Sequence, residues 1–169
     1  YGNNTGEEDV ALGRSALMFK VGGQKNIAIG PAALEGNNSS NNNIGIGYET
    51  LFFNDSGDDN IAIGNYALKN NKQTKNVAIG SSALTANTSG GINTAVGNNA
   101  LKANTTGGGN TAIGYDALSS NTTGFTNIAL GQNTLKENTT GTGNTALGYA
   151  SGQNNTTGGS NTYLGNQTG

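Results

Sequence analysis

A five-residue pattern recurs along the whole chain: asparagine, an aliphatic residue or threonine, alanine, a second aliphatic residue, and glycine. Its ten copies begin at residues 9, 26, 43, 60, 76, 93, 110, 127, 144 and 161, and the first copy has Asp9 in place of asparagine. Successive copies start 17 residues apart, except that the spacing from residue 60 to residue 76 is 16. Such regular self-similarity is the sequence signature of a solenoid, so we expect a stack of similar coils.

The full repeat has 17 places, which we number from the asparagine. An Ala-Leu pair occupies the eighth and ninth places of most repeats, and an Asn-Thr-Thr-Gly segment occupies the twelfth to fifteenth, as in Asn104–Gly107. Helical repeats need about 33 residues, so two helices do not fit. Large apolar residues alternate at the second and fourth places, and glycines mark two turns. We therefore expect an all-β chain of about nine coils, each with two short strands, stacked about 4.8 Å apart.

The same alternation predicts which columns line the interior. We expect the residues of the second, fourth and ninth places to be buried, each contributing about 1.5–3 kcal/mol when fully buried. The asparagines of the first place are expected to form a side-chain amide ladder along the stack. Their alternative role is that of turn residues tolerating a left-handed backbone, and both roles are compatible.

The third place holds alanine or glycine in nine successive repeats and is expected to point away from the buried pair. A solvated face would carry lysine, glutamate, serine and threonine, so small residues indicate close approach by another copy of the chain. The alternative is that crowding inside one chain selects alanine. The interface hypothesis covers Ala28, Ala62, Ala78, Ala95, Ala112, Ala129 and Ala146.

Composition excludes several classes of function. The chain has no cysteine and no histidine, which removes thiol–imidazole nucleophiles, disulfides and the usual zinc sites. A net charge of −2 gives no electrostatic footprint for nucleic acid. No apolar run approaches the roughly 20 residues that span a bilayer. We expect no enzymatic activity, no cofactor, no nucleic-acid partner and no membrane contact by this segment.

Three carboxylates lie close together in the sequence at Asp55, Asp58 and Asp59. Hard oxygen ligands of this kind suit Ca²⁺, although their spacing does not match an EF-hand loop. The alternative is an ordinary solvated turn, and we expect no metal.

Two groups of residues are candidates for binding a receptor. Most repeats are polar at the tenth and eleventh places, but Met18, Phe19, Phe52 and Phe53 are apolar there and predict an exposed patch. The alternatives are that they cover a chain end or pack between copies.

The second group lies in the 16-residue repeat, which carries a cationic turn beside a tyrosine. Such a turn could hold an acidic sugar or sulfated glycan, the alternative being a solvated turn. The residues are Tyr66, Lys69, Lys72 and Lys75.

The repeat resembles the head repeats of YadA-type trimeric autotransporter adhesins. It also resembles arrays in bacterial and phage fibre proteins. The clearest match is Asn110-Thr111-Ala112-Ile113-Gly114-Tyr115-Asp116-Ala117-Leu118, and the likeness extends from Asp9 to the end of the chain. It implies a left-handed parallel β-roll, a homotrimer about a common axis, and attachment at a bacterial cell surface or on a virion fibre. The 17-residue repeat is longer than the coil of the YadA heads, the extra residues lying in the Asn-Thr-Thr-Gly turn.

We therefore expect residues 1–169 to form a single repeat domain cut from a longer extracellular fibre. Its partners would be two sister chains and a glycan or matrix protein on a host or prey surface, with membrane anchoring left to absent regions. Threonine columns such as Thr105-Thr106 suggest an alternative, an ice-binding solenoid, and a purely structural spacer is another. A depolymerising tailspike is not expected, because acidic residues do not line up on one face.

Overall fold

The computed structural model describes residues 8–169, so residues 1–7 lie outside the described residues. The described chain is a parallel β-solenoid of about nine coils with no helix, and hence no helix that could cross a membrane. One three-residue strand per repeat joins a single sheet in sequence order. The strands are β1 (Val10–Leu12), β2 (Ile27–Ile29), β3 (Ile44–Ile46), β4 (Ile61–Ile63), β5 (Val77–Ile79), β6 (Thr94–Val96), β7 (Thr111–Ile113), β8 (Ile128–Leu130), β9 (Thr145–Leu147) and β10 (Thr162–Leu164).

Equivalent places of successive repeats form columns along the stack, as the repeat predicts. Ala95 pairs with Ala112, and Ala112 pairs with Ala129. The register also holds across the short repeat, where Ile61 pairs with Val77. The residue that this repeat lacks is therefore missing from a turn and not from the sheet.

Each coil has one strand rather than the two expected. The leucines of the ninth place, where the second strand was predicted, have left-handed backbones, with φ of 51° at Leu68 and 52° at Leu101. Their N–H groups still bond to the next coil, for example from Leu101 to the Ala117 carbonyl at 3.0 Å. A left-handed residue turns the chain and cannot continue a strand. This wall of the solenoid is therefore hydrogen-bonded but not extended.

The interior is narrower than the alternation of residues predicts. Each strand also turns inward the face that was expected to point outward. The prediction is correct for the ninth place, whose leucines are buried, but wrong for the second and fourth places, which face outward. The third-place alanines point inward and are 0% exposed from Ala28 to Ala146. A Cβ added at Gly45, which replaces alanine in β3, would overlap Cδ1 of Leu34. The leucines on the opposite wall thus leave room only for a methyl group, which explains why the third place is small.

The first-place asparagines form the expected amide ladder. In each pair of coils the Oδ1 atom of one asparagine accepts the backbone N–H of the next, as from Asn110 to Asn93 and from Asn127 to Asn110, both at 2.9 Å. Nδ2 of Asn110 also donates to the Gly124 carbonyl of its own coil at 2.9 Å. These asparagines are not among the residues with positive φ, so the ladder rather than a left-handed turn explains their recurrence.

A second ladder, which the sequence analysis did not predict, follows the asparagines of the twelfth place. Nδ2 of Asn121 donates to Oδ1 of Asn104 and to the Gly124 carbonyl, both at 2.9 Å. In most coils both ladders therefore hold the same fifteenth-place carbonyl; in the third coil Asn43 bonds instead to the Ser40 hydroxyl. Buried amides need such partners, because an unpaired one costs about 1–3 kcal/mol.

An ion pair replaces asparagine in both ladders of the first coil. Asp9 occupies the first place and Lys20 the twelfth; both side chains are buried, and they bond to each other. The Asp9 carboxylate also accepts the N–H of Asn26 at 2.8 Å. Burial lowers the pKa of Lys20 from its usual value.

We expect Gly97→Ala to destabilise the solenoid by about 2–5 kcal/mol. Gly97 has φ of 137°, and an added Cβ would overlap the Gly114 carbonyl of the next coil. Chemical denaturation followed by circular dichroism measures the loss. Gly91→Ala is the matched control, since its Cβ would meet only the Thr74 carbonyl at 3.5 Å. Equal stability of the two variants would contradict this account of the glycine column.

We expect Asp9→Asn to lower stability by up to about 3 kcal/mol, because it leaves the Lys20 ammonium buried without its counter-charge. Adding Lys20→Asn should restore stability, since asparagines then occupy both places as in the other coils. Thermal unfolding of the wild type, the single variant and the double variant measures this coupling. If the double variant were no more stable than the single variant, two asparagines would not replace the ion pair at these places, contrary to this expectation.

Candidate functional site

The side chains of the second and fourth places form a largely aliphatic face on the outside of the sheet, which we call the outer strand face. Its fourth place is aliphatic in every repeat, while its second place holds threonine in four of them. The face runs along β1–β10, over nine strand spacings or about 43 Å. Its residues are partly exposed in the single chain, for example Ile79 at 38% and Ile113 at 39%. Large contiguous apolar patches of this kind mark interaction surfaces in soluble proteins.

The alanines predicted to contact a sister chain are not on this face. The prediction is wrong because their methyl groups are fully enclosed by their own chain, so no partner can reach them. The alternative, that crowding inside the coil selects alanine, agrees with the structure. The residues concerned are Ala28, Ala62, Ala78, Ala95, Ala112, Ala129 and Ala146.

Four aromatic rings gather on the third and fourth coils around one lysine, and we call this group the aromatic patch. Tyr48 and Tyr66 meet edge to face, with their ring centroids 5.3 Å apart. Phe52 and Phe53 do the same at 4.5 Å. The Lys69 ammonium lies 5.4 Å from the Tyr66 ring centre and 5.9 Å from that of Phe52. Phe53 is 48% exposed and Tyr66 38%, so the patch presents ring surface to a partner.

The charge of Lys69 is neutralised within the patch. Its ammonium lies 2.7 Å from the Glu49 carboxylate. Hydrogen bonds from Lys69 and then from Tyr48 lower the pKa of Glu49. The hydrogen bond that Tyr48 donates to Glu49 raises the pKa of Tyr48. The patch is therefore an aromatic surface with an internal ion pair rather than the free cationic turn that the sequence suggests.

The other residues that were predicted to bind a receptor lie in separate parts of the structure. Met18 and Phe19 are both exposed, as expected of an apolar pair at the tenth and eleventh places. They lie two coils before Phe52 and Phe53, about 10 Å along the stack. Lys72 lies at the thirteenth place of its coil, while the exposed Lys75 lies at the seventeenth and belongs to another part of the turn.

A groove of about 280 Å³ opens beside the aromatic patch, where the short repeat lies between two full ones. Five residues of three successive coils line it: Phe53, Asp55, Asn70, Lys72 and Thr88. Phe53 and Asn70 occupy the eleventh place of their repeats, and the other three occupy the thirteenth. None of the five belongs to a strand, so the groove lies off the outer strand face.

Hydrogen bonds locate the residue that the short repeat lacks. In a full repeat the twelfth-place asparagine bonds to a carbonyl three residues later, as from Asn87 to Gly90 at 2.8 Å. In the short repeat Asn71 bonds to Gln73, two residues later, at 2.6 Å. Lys72 alone therefore spans the two places that the Thr-Thr pair fills elsewhere.

The shorter turn interrupts the hydrogen bonding between coils. The thirteenth-place N–H of a full repeat donates to the next coil, as from Thr105 to the Thr122 carbonyl at 2.9 Å. Among the described residues, Asp55 instead bonds within its own turn, to the Phe53 carbonyl at 3.1 Å, and Lys72 has no such bond to Thr88. The shorter turn leaves room for the groove. The sequence analysis did not predict this site, although the spacing of 16 residues indicates an irregularity in this repeat.

The three neighbouring carboxylates each accept a hydrogen bond from the preceding coil. Asp58 accepts the Asn41 N–H at 2.7 Å, while Asp55 and Asp59 accept side-chain amides of Asn38 and Asn42 at 3.2 and 3.1 Å. The described residues contain no group of three acidic, histidine or cysteine side chains placed to hold a metal ion. The carboxylates therefore serve as acceptors that tie neighbouring turns together.

Comparisons of the chain with protein-family models, curated proteins and solved structures found no match.

Proposed function

We propose that this chain is the attachment module of an extracellular fibre in which three copies lie side by side along their outer strand faces. The observation that carries the proposal is the unbroken aliphatic column of the fourth place along ten strands, flanked by the valine, isoleucine or threonine of the second place. Parallel sheets are ordinarily covered on both faces. Here the leucine column covers the inner face, and none of residues 8–169 covers the outer one.

A second copy of the chain is the occupant that best fits this face. The aliphatic side chains recur once per coil in a straight column, about every 4.8 Å. A partner must present apolar groups with the same period along about 43 Å to fill the spaces between them. A sister chain has that period because its sequence contains the same repeats, whereas an unrelated globular surface does not. The number three and the left-handed winding come from the resemblance to YadA-type heads.

The aromatic patch supports a role in attachment. Exposed aromatic residues and a neighbouring cation are typical of recognition surfaces for proteins and glycans. The patch, with Met18 and Phe19, lies in the first half of the chain, while the repeats after residue 93 are closer to the consensus. We assign recognition of a host or prey surface glycan or matrix protein to the irregular coils and a spacing role to the regular ones.

Ice binding is the alternative that the threonine columns suggest. In the turn column, the hydroxyl groups of Thr105 and Thr122 donate to carbonyls of the next coil at 3.1 Å, and that of Thr139 does so at 3.0 Å. These donors are used within the protein instead of ordering water, so we favour attachment. Thermal hysteresis of the purified chain is the measurement that supports the alternative.

We expect the wild-type chain to sediment as a trimer and the double variant Ile79→Glu with Ile113→Glu to sediment as a monomer. Glutamates buried at the centre of an apolar seam would lack partners, and association would no longer compensate for their dehydration. Sedimentation equilibrium over a wide concentration range measures the mass.

The control for this experiment is Ile92→Glu. Ile92 is 69% exposed and lies in a turn, outside the outer strand face, so its replacement should leave the trimer intact. Circular dichroism should show the same β content for all chains. A wild type that stays monomeric, or a control that dissociates like the double variant, would contradict the proposed seam.

We expect the purified chain to bind members of a combined glycan and matrix-protein array, and the double variant Tyr66→Ala with Lys69→Ala to lose at least tenfold in affinity. This variant removes one ring of the Tyr48–Tyr66 pair and the ammonium between the rings. Tyr149→Ala, which removes an exposed tyrosine from a distant coil, is the matched control. Absence of binding to any surface component would favour a purely structural spacer.

A further inference from the structure

We propose that the groove at the short repeat, lined by Phe53, Asp55, Asn70, Lys72 and Thr88, binds an uncharged saccharide. This inference rests on the proposed function and specifies the ligand class of one attachment site. The groove differs from the aromatic patch in its residues, sharing only Phe53 with it.

The size of the groove suits a small ligand. Pockets that enclose a drug-sized molecule measure roughly 300–1,000 Å³, and a volume of about 280 Å³ lies just below that range. It is open to solvent along the turn, so one sugar ring can be held while the rest of a glycan continues outward. The exposed ring of Phe53 gives the groove an apolar wall for the C–H face of a pyranose.

The polar groups of the groove are mostly hydrogen-bond acceptors. One N–H of Asn70 Nδ2 is bonded to the Thr85 carbonyl at 2.9 Å, which leaves its Oδ1 as an acceptor and its second N–H as a donor. The hydroxyl hydrogen of Thr88 is directed to the Thr105 carbonyl at 3.1 Å, which leaves its oxygen lone pairs. The Asp55 carboxylate accepts hydrogen bonds only. A ligand with several hydroxyl donors is the chemical complement of these three acceptors.

Lys72 supplies the complementary donor. Its ammonium offers three N–H groups and no acceptor, which suits sugar oxygens. Among the described residues, the ion pairs involve Lys20, Lys25, Lys69 and Lys136 and include neither Lys72 nor Asp55. The Lys72 ammonium is therefore available to a ligand, and so is the second carboxylate oxygen of Asp55, whose Oδ1 accepts the Asn38 amide.

The balance of charge selects an uncharged sugar over an acidic one. Asp55 and Lys72 cancel, so the groove has no net charge to attract an anion. A carboxylate or sulfate would find the Lys72 ammonium as its main donor but would also face three acceptors, and the Asp55 carboxylate would repel it. The proposed ligand differs from the acidic one expected from the sequence, because Lys69 is paired with Glu49 and Lys75 lies elsewhere in the turn.

The test uses saturation-transfer NMR and calorimetry on the wild-type chain with β-methyl glycosides of glucose, galactose, mannose, N-acetylglucosamine and N-acetylgalactosamine. Glucuronic acid and N-acetylneuraminic acid are the charged probes. We expect at least one uncharged glycoside to bind and both acids to bind at least tenfold more weakly. Phe53→Ala and Asp55→Asn should each weaken binding about tenfold or more.

Insertion of one threonine after Lys72 is the most specific variant. It places the Gln73 carbonyl three residues after Asn71, as in the other coils, and should fill the groove without removing any lining residue. We expect binding to be lost while the thermal midpoint is unchanged or raised. Phe125→Ala, which removes an exposed ring on a distant coil, should bind like the wild type.

Each outcome bears on the proposal. Binding of only the acidic probes, or binding that survives the insertion, would overturn it. Absence of any sugar binding would overturn it as well, but a chain that still binds matrix proteins on the array would keep its proposed attachment function. A chain that binds neither would lose both.

Discussion

The fit between a leucine column and an alanine column sets the dimensions of the whole solenoid. The ninth-place leucines cross the interior and leave room for one methyl group at the third place, so each coil can be no wider than this pair. Backbone groups at the two corners then become buried, and the paired asparagine ladders are the partners they require. Hydrogen bonds of buried polar side chains therefore provide much of the stabilisation that a larger hydrophobic core provides in other folds. This explains how a chain with only 33% hydrophobic residues forms a stable stack.

The periodicity of the sequence was sufficient to predict the coil, its length, the parallel columns and the first amide ladder. It could not predict which way each strand faces, because the alternation of Ile-Ala-Ile is the same whether alanine points inward or outward. The usual assumption that larger residues are inside fails here, since the Leu34 side chain already occupies the space opposite Gly45. The second strand was predicted wrongly, because no propensity scale anticipates leucine in a left-handed conformation at eight successive repeats.

Departures from the consensus carry more functional information than the consensus itself. The missing residue beside Lys72 opens the groove, and aromatic residues replace polar ones only at a few places such as Phe52 and Phe53. The spacing of 16 was visible in the sequence, but the location of the gap within the turn required the bond from Asn71 to Gln73. The interior tolerates few changes, so variation is confined to the turns, where it can create a binding surface without disturbing the columns.

The direction of the bonds between coils has a mechanical consequence. The hydrogen bonds of both the sheet and the amide ladders run parallel to the long axis, so in the proposed fibre a pulling force along this axis would act on them in tension, one interface at a time. A coil that detaches would release 17 residues, or about 60 Å of extended chain, while its neighbours stay folded. Such a chain would lengthen in steps under load and dissipate energy at each step, a useful property for a tether exposed to flow.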